Sequence, residues 1–419
     1  MRRRLFWPLT LRGTGAVLLA AAAFVAAAVF GLIELVYVGV LLIVTVLFAW
    51  ISLWFVHRYG DVQRSFSPDV TAVGAESIVT LRSRARSGVP GAVALWRDRL
   101  PDGVEGDAAG LLGAVAAQDG MRVTYRLRAT RRGIRPVGPF TVTVTDPFGM
   151  ARRRVRLGEA DAVTVTPPVL PLPPLSEFPG EAGGSLHTAT HQLGEGADNL
   201  IPRPYLPGDS MRRINWRASA HHHELMVRQE EQESTPEATV VLDRADRRWS
   251  PSACDEPGAD DAFETAVTAT VSAAARLARE GYDVTVIDAD GTPLAPPVAA
   301  GDAAALEQLA LELATVVAAS VDHLPQLARL FAGTVAGPVV LVTGRVRPVD
   351  VEMLTPLVPH SALPVLLVVT GAGGADQTTT DAVTRAEAAG WRAATLRDDG
   401  DLADAWRATT DRGTTHATL

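Results

Sequence analysis

The chain has one cysteine, no lysine and few aromatic residues in a length of 419 residues. The lone Cys254 excludes an internal disulfide framework and a zinc site built from cysteines, and it suits a reducing compartment. All 39 basic residues are arginine, which we attribute to coding bias rather than to a chemical requirement. The length allows about three globular units, so a single small domain is excluded.

Positive charge is not in excess, because 47 acidic residues face the 39 arginines and give a formal net charge of -8. Binding to nucleic acid over the whole surface is therefore not expected, and any basic surface must be local. Apolar residues make up 47% of the chain and charged residues 21%, which excludes a disordered chain and supports a substantial core.

Two long uncharged runs, residues 13–33 and 35–56, are each long enough as a helix to cross a bilayer core of roughly 30 Å. The lone Glu34 separates them, and we expect it to be hydrated at the tip of a hairpin rather than to serve in a proton relay. Arginines lie before the first run and after the second, with none between, which predicts a cell-membrane protein whose soluble parts are cytoplasmic. A cleaved signal peptide is the alternative, but a second apolar run should not follow its cleavage site.

Residues 61–166 alternate apolar with polar side chains in short segments, such as 77–82, 123–128 and 140–145, which predicts an all-β, sandwich-like module. The module carries a local excess of arginine: Arg122, Arg126, Arg128, Arg131, Arg132, Arg135, Arg152, Arg153, Arg154 and Arg156. Two interpretations are open, contact with anionic lipid of a nearby leaflet and a solvated strand face.

The predicted order of segments is multidomain: a cytoplasmic N-terminus (1–12), two transmembrane helices (13–33 and 35–56), the β module (61–166), a proline-rich linker (167–180), a motif segment (181–236) and an α/β domain (237–419). Proline-rich composition favours a semi-rigid spacer, although a recognition site for a proline-binding domain is the other interpretation of the linker.

The motif segment holds the most distinctive stretch of the chain, from Asn199 to Ser219. One interpretation is a turn and a helix cap at Asp209 or Ser210, with Ile214 and Trp216 as apolar anchors. The other is a polar surface that binds a partner or an anion, because arginine pairs with carboxylate and phosphate. The candidate partner-binding residues are Arg203, Tyr205, Asp209, Ser210, Arg212, Asn215, Trp216 and Ser219, and Arg217 belongs to the same polar set.

The order R-x-Y-x-P-G-D-S-x-R-x-I-x-W-x-A-S, from Arg203 to Ser219, resembles the bacterial family called domain of unknown function 58 (DUF58). Preceding G-P-F and D-P-F-G groups and the two apolar runs extend the resemblance over nearly the whole chain. The resemblance implies a membrane-anchored protein with a β module and a von Willebrand factor A-like domain, commonly encoded beside a MoxR-type AAA+ ATPase and transglutaminase-like membrane proteins. No biochemical activity is established for the family, so the resemblance implies a setting rather than a reaction.

The chain departs from the family pattern after Ser219, where Ala-Arg is usual and His221 to His223 follow instead. The chain therefore lacks the basic arginine side chain that the family usually has at this position. Three adjacent histidines cannot all face one metal from a regular helix or strand, so we do not expect a metal site there.

From Glu237 onward, apolar strands alternate with helical patterns, which predicts a doubly wound, mostly parallel sheet. The strands are expected at 238–242, 282–287, 338–343, 364–369 and 391–396. Ligand sites in such sheets lie at the carboxyl ends of strands, which here places Asp243, Asp288 and Gly344 at the same edge.

The resemblance to von Willebrand A domains implies that Asp243 stands at the start of an Asp-x-Ser-x-Ser metal site. The frame here is Asp243-x-Ala245-x-Arg247, so both hydroxyl ligands are missing and a cation is present. We predict a degenerate position that holds no conventional metal, with the Arg247 guanidinium paired with Asp243 in place of the ion.

The usual catalytic motifs for phosphate loops, zinc helices and nucleophile elbows do not occur in the chain. We therefore expect no catalytic residues and no cofactor, and the leading hypothesis is a membrane-anchored adaptor that acts with a MoxR-type AAA+ ATPase. The first alternative is a hydrolase that uses Asp209, Ser210 and His221. The second is a metal-dependent adhesion module, which the inward topology and the missing serines disfavour.

Overall fold

The computed structural model describes residues 8–55, 62–83, 93–112, 121–175, 200–205, 214, 216–222, 224–230, 235–332, 336–398 and 400–410. The chain divides into two compact units. The first unit comprises Met1–Val169, Trp249–Thr268 and Ala310–Ser320, and the second comprises Leu170–Arg248, Ala269–Leu309 and Val321–Leu419.

Two apolar helices, α1 (Leu11–Phe30) and α2 (Ile33–Ser52), open the first unit. The Thr10 hydroxyl caps α1 by accepting a hydrogen bond from the Gly13 N–H at 3.2 Å, and Gly31 ends α1 in the left-handed conformation. Glu34 lies in the first turn of α2 rather than at the tip between the helices. The helix dipole favours a carboxylate in a first turn. Both helices are long and apolar enough to cross a membrane.

A β-rich region follows, as the alternating pattern predicted. Its strands are β1 (Val62–Ser67), β2 (Val70–Ala72), β3 (Glu76–Ser83), β4 (Val93–Asp98), β5 (Val104–Gly106), β6 (Ala109–Leu112), β7 (Met121–Ala129), β8 (Gly133–Val137), β9 (Phe140–Thr145), β10 (Arg152–Leu157) and β11 (Asp161–Thr166). They form sheets in the orders β1-β3-β7-β5, β10-β9-β4-β6 and β2-β11-β8. The three strand segments predicted in this region lie within β3, β7 and β9.

A shared apolar core joins the two four-stranded sheets. Alternate residues such as Leu81, Leu127 and Val144 are buried in it, because successive side chains of a strand point to opposite faces. Aromatic rings fill its centre: Trp96 stacks on Phe140 with 6.1 Å between ring centroids. The opposite faces carry mostly polar side chains, with a few exposed apolar residues such as Ile78 and Leu95.

The motif segment forms a small element of its own in the second unit. It consists of strands β12 (Leu200–Pro204) and β13 (Met226–Glu230), which pair antiparallel, with helix α3 (Trp216–His222) between them.

The α/β region has a five-stranded, all-parallel sheet in the order β15-β14-β16-β17-β18. Its elements are β14 (Glu237–Leu242), α4 (Asp261–Arg279), β15 (Asp283–Asp288), α5 (Ala303–Leu313), α6 (Leu324–Leu330), β16 (Ala336–Thr343), α7 (Pro348–Leu354), β17 (Ser361–Thr370), α8 (Gln377–Ala388), β18 (Arg392–Arg397) and α9 (Leu402–Thr410). Near-continuous burial of β16 and β17 is typical of parallel strands, which are covered on both faces. All five predicted strands are present, with ends that differ by at most three residues.

Arg132 ties the β-rich region of the first unit to two later segments of the chain. Its guanidinium donates to both carboxylate oxygens of Glu264, at 2.8 and 2.7 Å, and to the carbonyl oxygens of Leu313 and Val316. Arg135, which is also buried, donates to the carbonyl of Pro257 at 2.5 Å. These two arginines therefore belong neither to a solvated strand face nor to a lipid-facing one.

Replacing Arg132 with methionine should destabilise the protein by about 3 to 5 kcal/mol, because the variant leaves Glu264 and two carbonyls without their donor. The measurement is denaturant unfolding of the full chain in detergent. The matched control is Arg131→Met, since Arg131 is the exposed neighbour on the same segment. Equal losses in the two variants would contradict a structural role specific to Arg132.

Candidate functional site

Three strand ends of the parallel sheet meet at one edge, as the sequence predicted. Asp243 directly follows β14, Asp288 ends β15, and the predicted Gly344 directly follows Thr343, the last residue of β16. β14 lies between the other two strands, with Leu242 opposite both Asp288 and Val342. Asp243 is therefore at the centre of this edge, and it is fully buried.

The carboxylate of Asp243 is held from three directions. It accepts hydrogen bonds from the Thr343 hydroxyl at 2.8 Å and from the Ala245 N–H at 3.1 Å, and it forms an ion pair with Arg248. Burial raises the pKa of Asp243, and the charge of Arg248 and the two hydrogen bonds oppose that rise. Ala245 thus contributes its backbone N–H where a metal site would use a hydroxyl oxygen.

Arg248 is the central cation of this edge, and only 2% of its surface is exposed. Besides Asp243, its guanidinium faces Asp350 at 3.3 Å and Asp322 at 3.5 Å. It also donates to the Arg345 carbonyl at 3.2 Å. A guanidinium offers five donors and a fixed positive charge, so it satisfies several carboxylates at once. The protein's own side chain therefore occupies the centre of these carboxylates.

The arginine that pairs with Asp243 is one residue further along than the sequence predicted. Arg247 pairs instead with Asp322 and with Asp350, the latter at 3.2 Å, and 42% of its side chain is exposed. The reason is local: Asp246–Arg248 forms a single helical turn, in which neighbouring side chains point about 100 to 120 degrees apart. Arg248 consequently points inward while Arg247 lies at the rim. The expected lack of a conventional metal site stays a prediction.

A further ion pair and a hydrogen bond from a helix start lie beside this centre. Arg244 contacts Asp288 at 2.7 Å, which joins the ends of β14 and β15. Asp350 accepts from the N–H of Arg347 at 3.0 Å at the start of α7. Burial alone would raise the pKa of Asp350, but hydrogen bonds from Arg347 and the charge of Arg248 outweigh it, so its pKa lies below the ordinary value.

The motif segment is folded around a few specific contacts. The Tyr205 N–H donates to the Leu225 carbonyl at 2.7 Å and extends the pairing of β12 with β13. The Ser219 hydroxyl accepts from the Met226 N–H at 2.8 Å and fixes α3 against the start of β13. Ile214 is buried and bridges to Val227.

Trp216 behaves differently from Ile214, although the sequence suggested both as apolar anchors. It begins α3 with 69% of its surface exposed. Tyr205 is half-buried and His221 is exposed.

The remaining motif candidates are only partly placed. Arg203 lies in β12 opposite Val227. Asp209, Ser210, Arg212, Asn215 and His223 lie outside the described residues. The described part of the motif is therefore a folded element with an exposed tryptophan. No local pattern in the sequence distinguishes which of Ile214 and Trp216 is exposed.

Residues 202–332 match a family described as "Protein of unknown function DUF58". This match supports the DUF58 family, as the motif predicted. No curated protein matches the chain.

Among solved structures, the CARDB domain of a Pyrococcus furiosus protein, crystallised in complex with di-metal ions, is 16% identical. The match covers 26% of this chain and 87% of that one, with a TM-score of 0.16. A conjugative transposon lipoprotein from Bacteroides eggerthii is 15% identical over 23% of this chain and 95% of that one, with a TM-score of 0.14. Likeness at this level assigns neither a fold nor a function to this chain.

Removing either partner of the Asp243 and Arg248 pair should destabilise the protein by about 3 to 5 kcal/mol, because the remaining charge is buried without its counterpart. We expect Asp243→Asn combined with Arg248→Met to cost clearly less than the sum of the two single variants, measured as a double-mutant cycle by denaturant unfolding. Arg247→Met is the matched control and should cost at most about 1 kcal/mol, because solvent screens an exposed pair. A larger loss for Arg247→Met than for Arg248→Met would contradict this assignment.

Acid should weaken the fold through Asp350. Its pKa is lower in the folded than in the unfolded chain, so its contribution to stability is complete above the ordinary value of about 4 and is lost as the pH falls through the folded-state pKa. We expect Asp350→Asn to be less stable than wild type at neutral pH and to lose less stability below about pH 4. The control is Glu352→Gln, an exposed acid on the same helix, which should keep the acid sensitivity of the wild type in thermal unfolding.

Proposed function

We propose that this protein is a membrane-anchored adaptor that docks a cytosolic protein partner through its motif segment, and that the partner is a MoxR-type AAA+ ATPase. The observation that carries the proposal is the exposure of Trp216 on an element whose described part is folded. The DUF58 match, which begins at residue 202, supports the family resemblance, and it is this resemblance that implies such an ATPase.

Trp216 offers a large apolar ring at the surface of the motif segment. Tryptophan is enriched among the residues that dominate protein interfaces, because its large ring buries much area and its indole N–H still finds a partner. Ile214 and the contact between Ser219 and Met226 already stabilise the element. The Trp216 ring is thus available for a partner without loss of the local fold.

The α/β region supports an adaptor more than a metal-dependent adhesion module. Its parallel sheet and the carboxylate of Asp243 at a central strand end fit a von Willebrand A-like domain. In such a domain an exchangeable divalent ion would contact the partner. Here Arg248 fills that position with a fixed charge, so binding would require no ion and would not be switched by one.

Membrane anchoring is the second part of the proposal. Helices α1 and α2 are long and apolar enough to span a bilayer, and arginines flank the pair without lying between them. That distribution favours a cytoplasmic location for both ends and hence for the soluble units.

The hydrolase alternative depends on Asp209 and Ser210, which lie outside the described residues, and no observation on the described residues favours it. The two hypotheses predict different results for Ser210→Ala: a hydrolase should lose turnover in this variant while partner binding is kept.

Trp216→Ala should weaken binding of the purified MoxR-type ATPase by about 30-fold or more, because removal of a central tryptophan typically costs at least about 2 kcal/mol. The measurement uses the full chain in detergent, with the ATPase from the same organism, and records both affinity and ATP turnover. The thermal unfolding temperature should not change, since the ring is exposed. Met353→Ala is the matched control, because Met353 is an exposed apolar residue of the same unit. Equal binding by wild type and Trp216→Ala, or an equal loss in Met353→Ala, would contradict the proposal.

A further inference from the structure

One face of the β10-β9-β4 part of the sheet carries three arginines on β10, threonines on β9, and Arg97 beside the exposed apolar Leu95 on β4. Arg97 on β4 lies opposite Thr141 on β9, and Thr141 lies opposite Arg156 on β10. Since side chains two residues apart share a face, the same face includes Arg97, Thr141, Thr143, Arg152, Arg154 and Arg156. The opposite face carries Val142 and Val144, which belong to the apolar core. The arginine face is therefore the outer face of this sheet.

This face forms the floor of an open cleft of about 1140 Å³. Arg99 and Pro8 also line the cleft. Thr141 is buried in it and accepts a weak hydrogen bond from Arg154 at 3.4 Å. A concave surface with guanidinium groups on two sides suits an anion that can be contacted by several arginines at once.

The acid that lines the cleft already has partners within the protein. This acid, Asp98, is buried and its carboxylate accepts from Arg64 at 2.9 Å and from the Tyr125 hydroxyl at 2.7 Å. Over the described ranges, ion pairs are absent from the cleft's exposed arginines: Arg97, Arg99, Arg152, Arg154 and Arg156. An anion is the missing partner of this surface.

The cleft is joined directly to the ends of the two apolar helices. The Arg152 N–H donates to the Pro8 carbonyl at 2.8 Å, just before α1 begins. Arg153 donates to the Leu53 carbonyl at 2.8 Å and lies over the Trp54 ring at 6.0 Å, just after α2 ends. Trp54 is exposed there, as is typical of tryptophan at the surface of a bilayer. Strand β10 thus lies where the helix pair would leave the membrane.

We propose that this cleft binds the phosphate headgroups of anionic phospholipids in the leaflet that α1 and α2 enter. The inference rests on the proposed membrane anchoring, and of the arginines in the β-rich region it assigns a specific surface only to those of β10, together with Arg97 and Arg99. Guanidinium forks match phosphate oxygens in pairs, and arginines close to an anionic leaflet are attracted within about a Debye length of roughly 8 to 10 Å. The connection of β10 to both helix ends holds the cleft within that distance.

The test uses the full chain reconstituted into vesicles of equal parts phosphatidylglycerol and phosphatidylcholine. After extraction in mild detergent, the phospholipid that copurifies is counted by mass spectrometry. Wild type should retain phosphatidylglycerol over phosphatidylcholine. The triple variant Arg152→Gln, Arg154→Gln, Arg156→Gln should retain at least about tenfold less phosphatidylglycerol, since each arginine near an anionic surface contributes substantially to binding.

The matched control changes the same charge on another exposed strand face of the same region, with Arg122→Gln, Arg126→Gln and Arg128→Gln on β7. It should retain phosphatidylglycerol like the wild type. If the triple variant on β10 folds poorly, a second variant replaces it in the test. This variant, Arg97→Gln with Arg156→Gln, removes charge from two strands and should also lose phosphatidylglycerol.

Two results would overturn the proposal: equal retention of the two lipids by wild type, or equal losses in the two triple variants. If wild type shows no lipid preference but binds inorganic phosphate, and the first triple variant does not, the cleft is a free-anion site instead. Carbonate extraction of the vesicles separates the two levels of inference. Release of the protein by carbonate contradicts the anchoring and with it this proposal, whereas a protein that stays in the membrane without lipid preference contradicts the lipid site alone.

Discussion

A guanidinium group that is buried from water must be surrounded by oxygen acceptors, and this constraint organises the α/β region around Arg248. Three carboxylates from different parts of the chain, Asp243, Asp322 and Asp350, face that one side chain. Asp243 and Asp350 are buried, and each would be unfavourable there without the cation. These carboxylates and the Arg248 guanidinium together hold the ends of the central strands. The carboxylates need the cation, and the buried cation needs its acceptors.

The same constraint operates in the first unit through Arg132. There the acceptors are the Glu264 carboxylate, the carbonyl of Leu313 at the end of α5 and the carbonyl of Val316 just after it. The segments that supply them are distant in sequence from the β-rich region, yet they belong to the same compact unit. Buried arginines therefore stabilise the structure at two places, Arg132 and Arg248. The arginines of the cleft on β10 differ from them because they are exposed.

Exposed and buried arginines imply different roles in the proposed adaptor. A buried guanidinium is covalently part of the chain and, unlike a bound metal ion, cannot dissociate. The sheet edge would therefore present a constant surface. The exposed arginines of the cleft lack acidic partners over the residues that the structure describes, and they are left for an anion outside the chain. Trp216 adds the apolar counterpart in the motif segment. Anchoring, lipid contact and partner docking would then be carried by separate surfaces.

The sequence by itself determined the two apolar helices, the β-rich region and the parallel sheet, because periodicity and apolar runs are local properties of the chain. It also placed Asp243 and Asp288 at one sheet edge, since the ends of parallel strands meet there by geometry. It could not decide between Arg247 and Arg248, because the choice depends on the rotation of a short helical turn relative to acids some 75 to 100 residues away. It likewise could not distinguish buried Ile214 from exposed Trp216, or buried Arg132 from exposed Arg131, since burial is set by which distant segments pack on a side chain. Those contacts exist only in the tertiary structure.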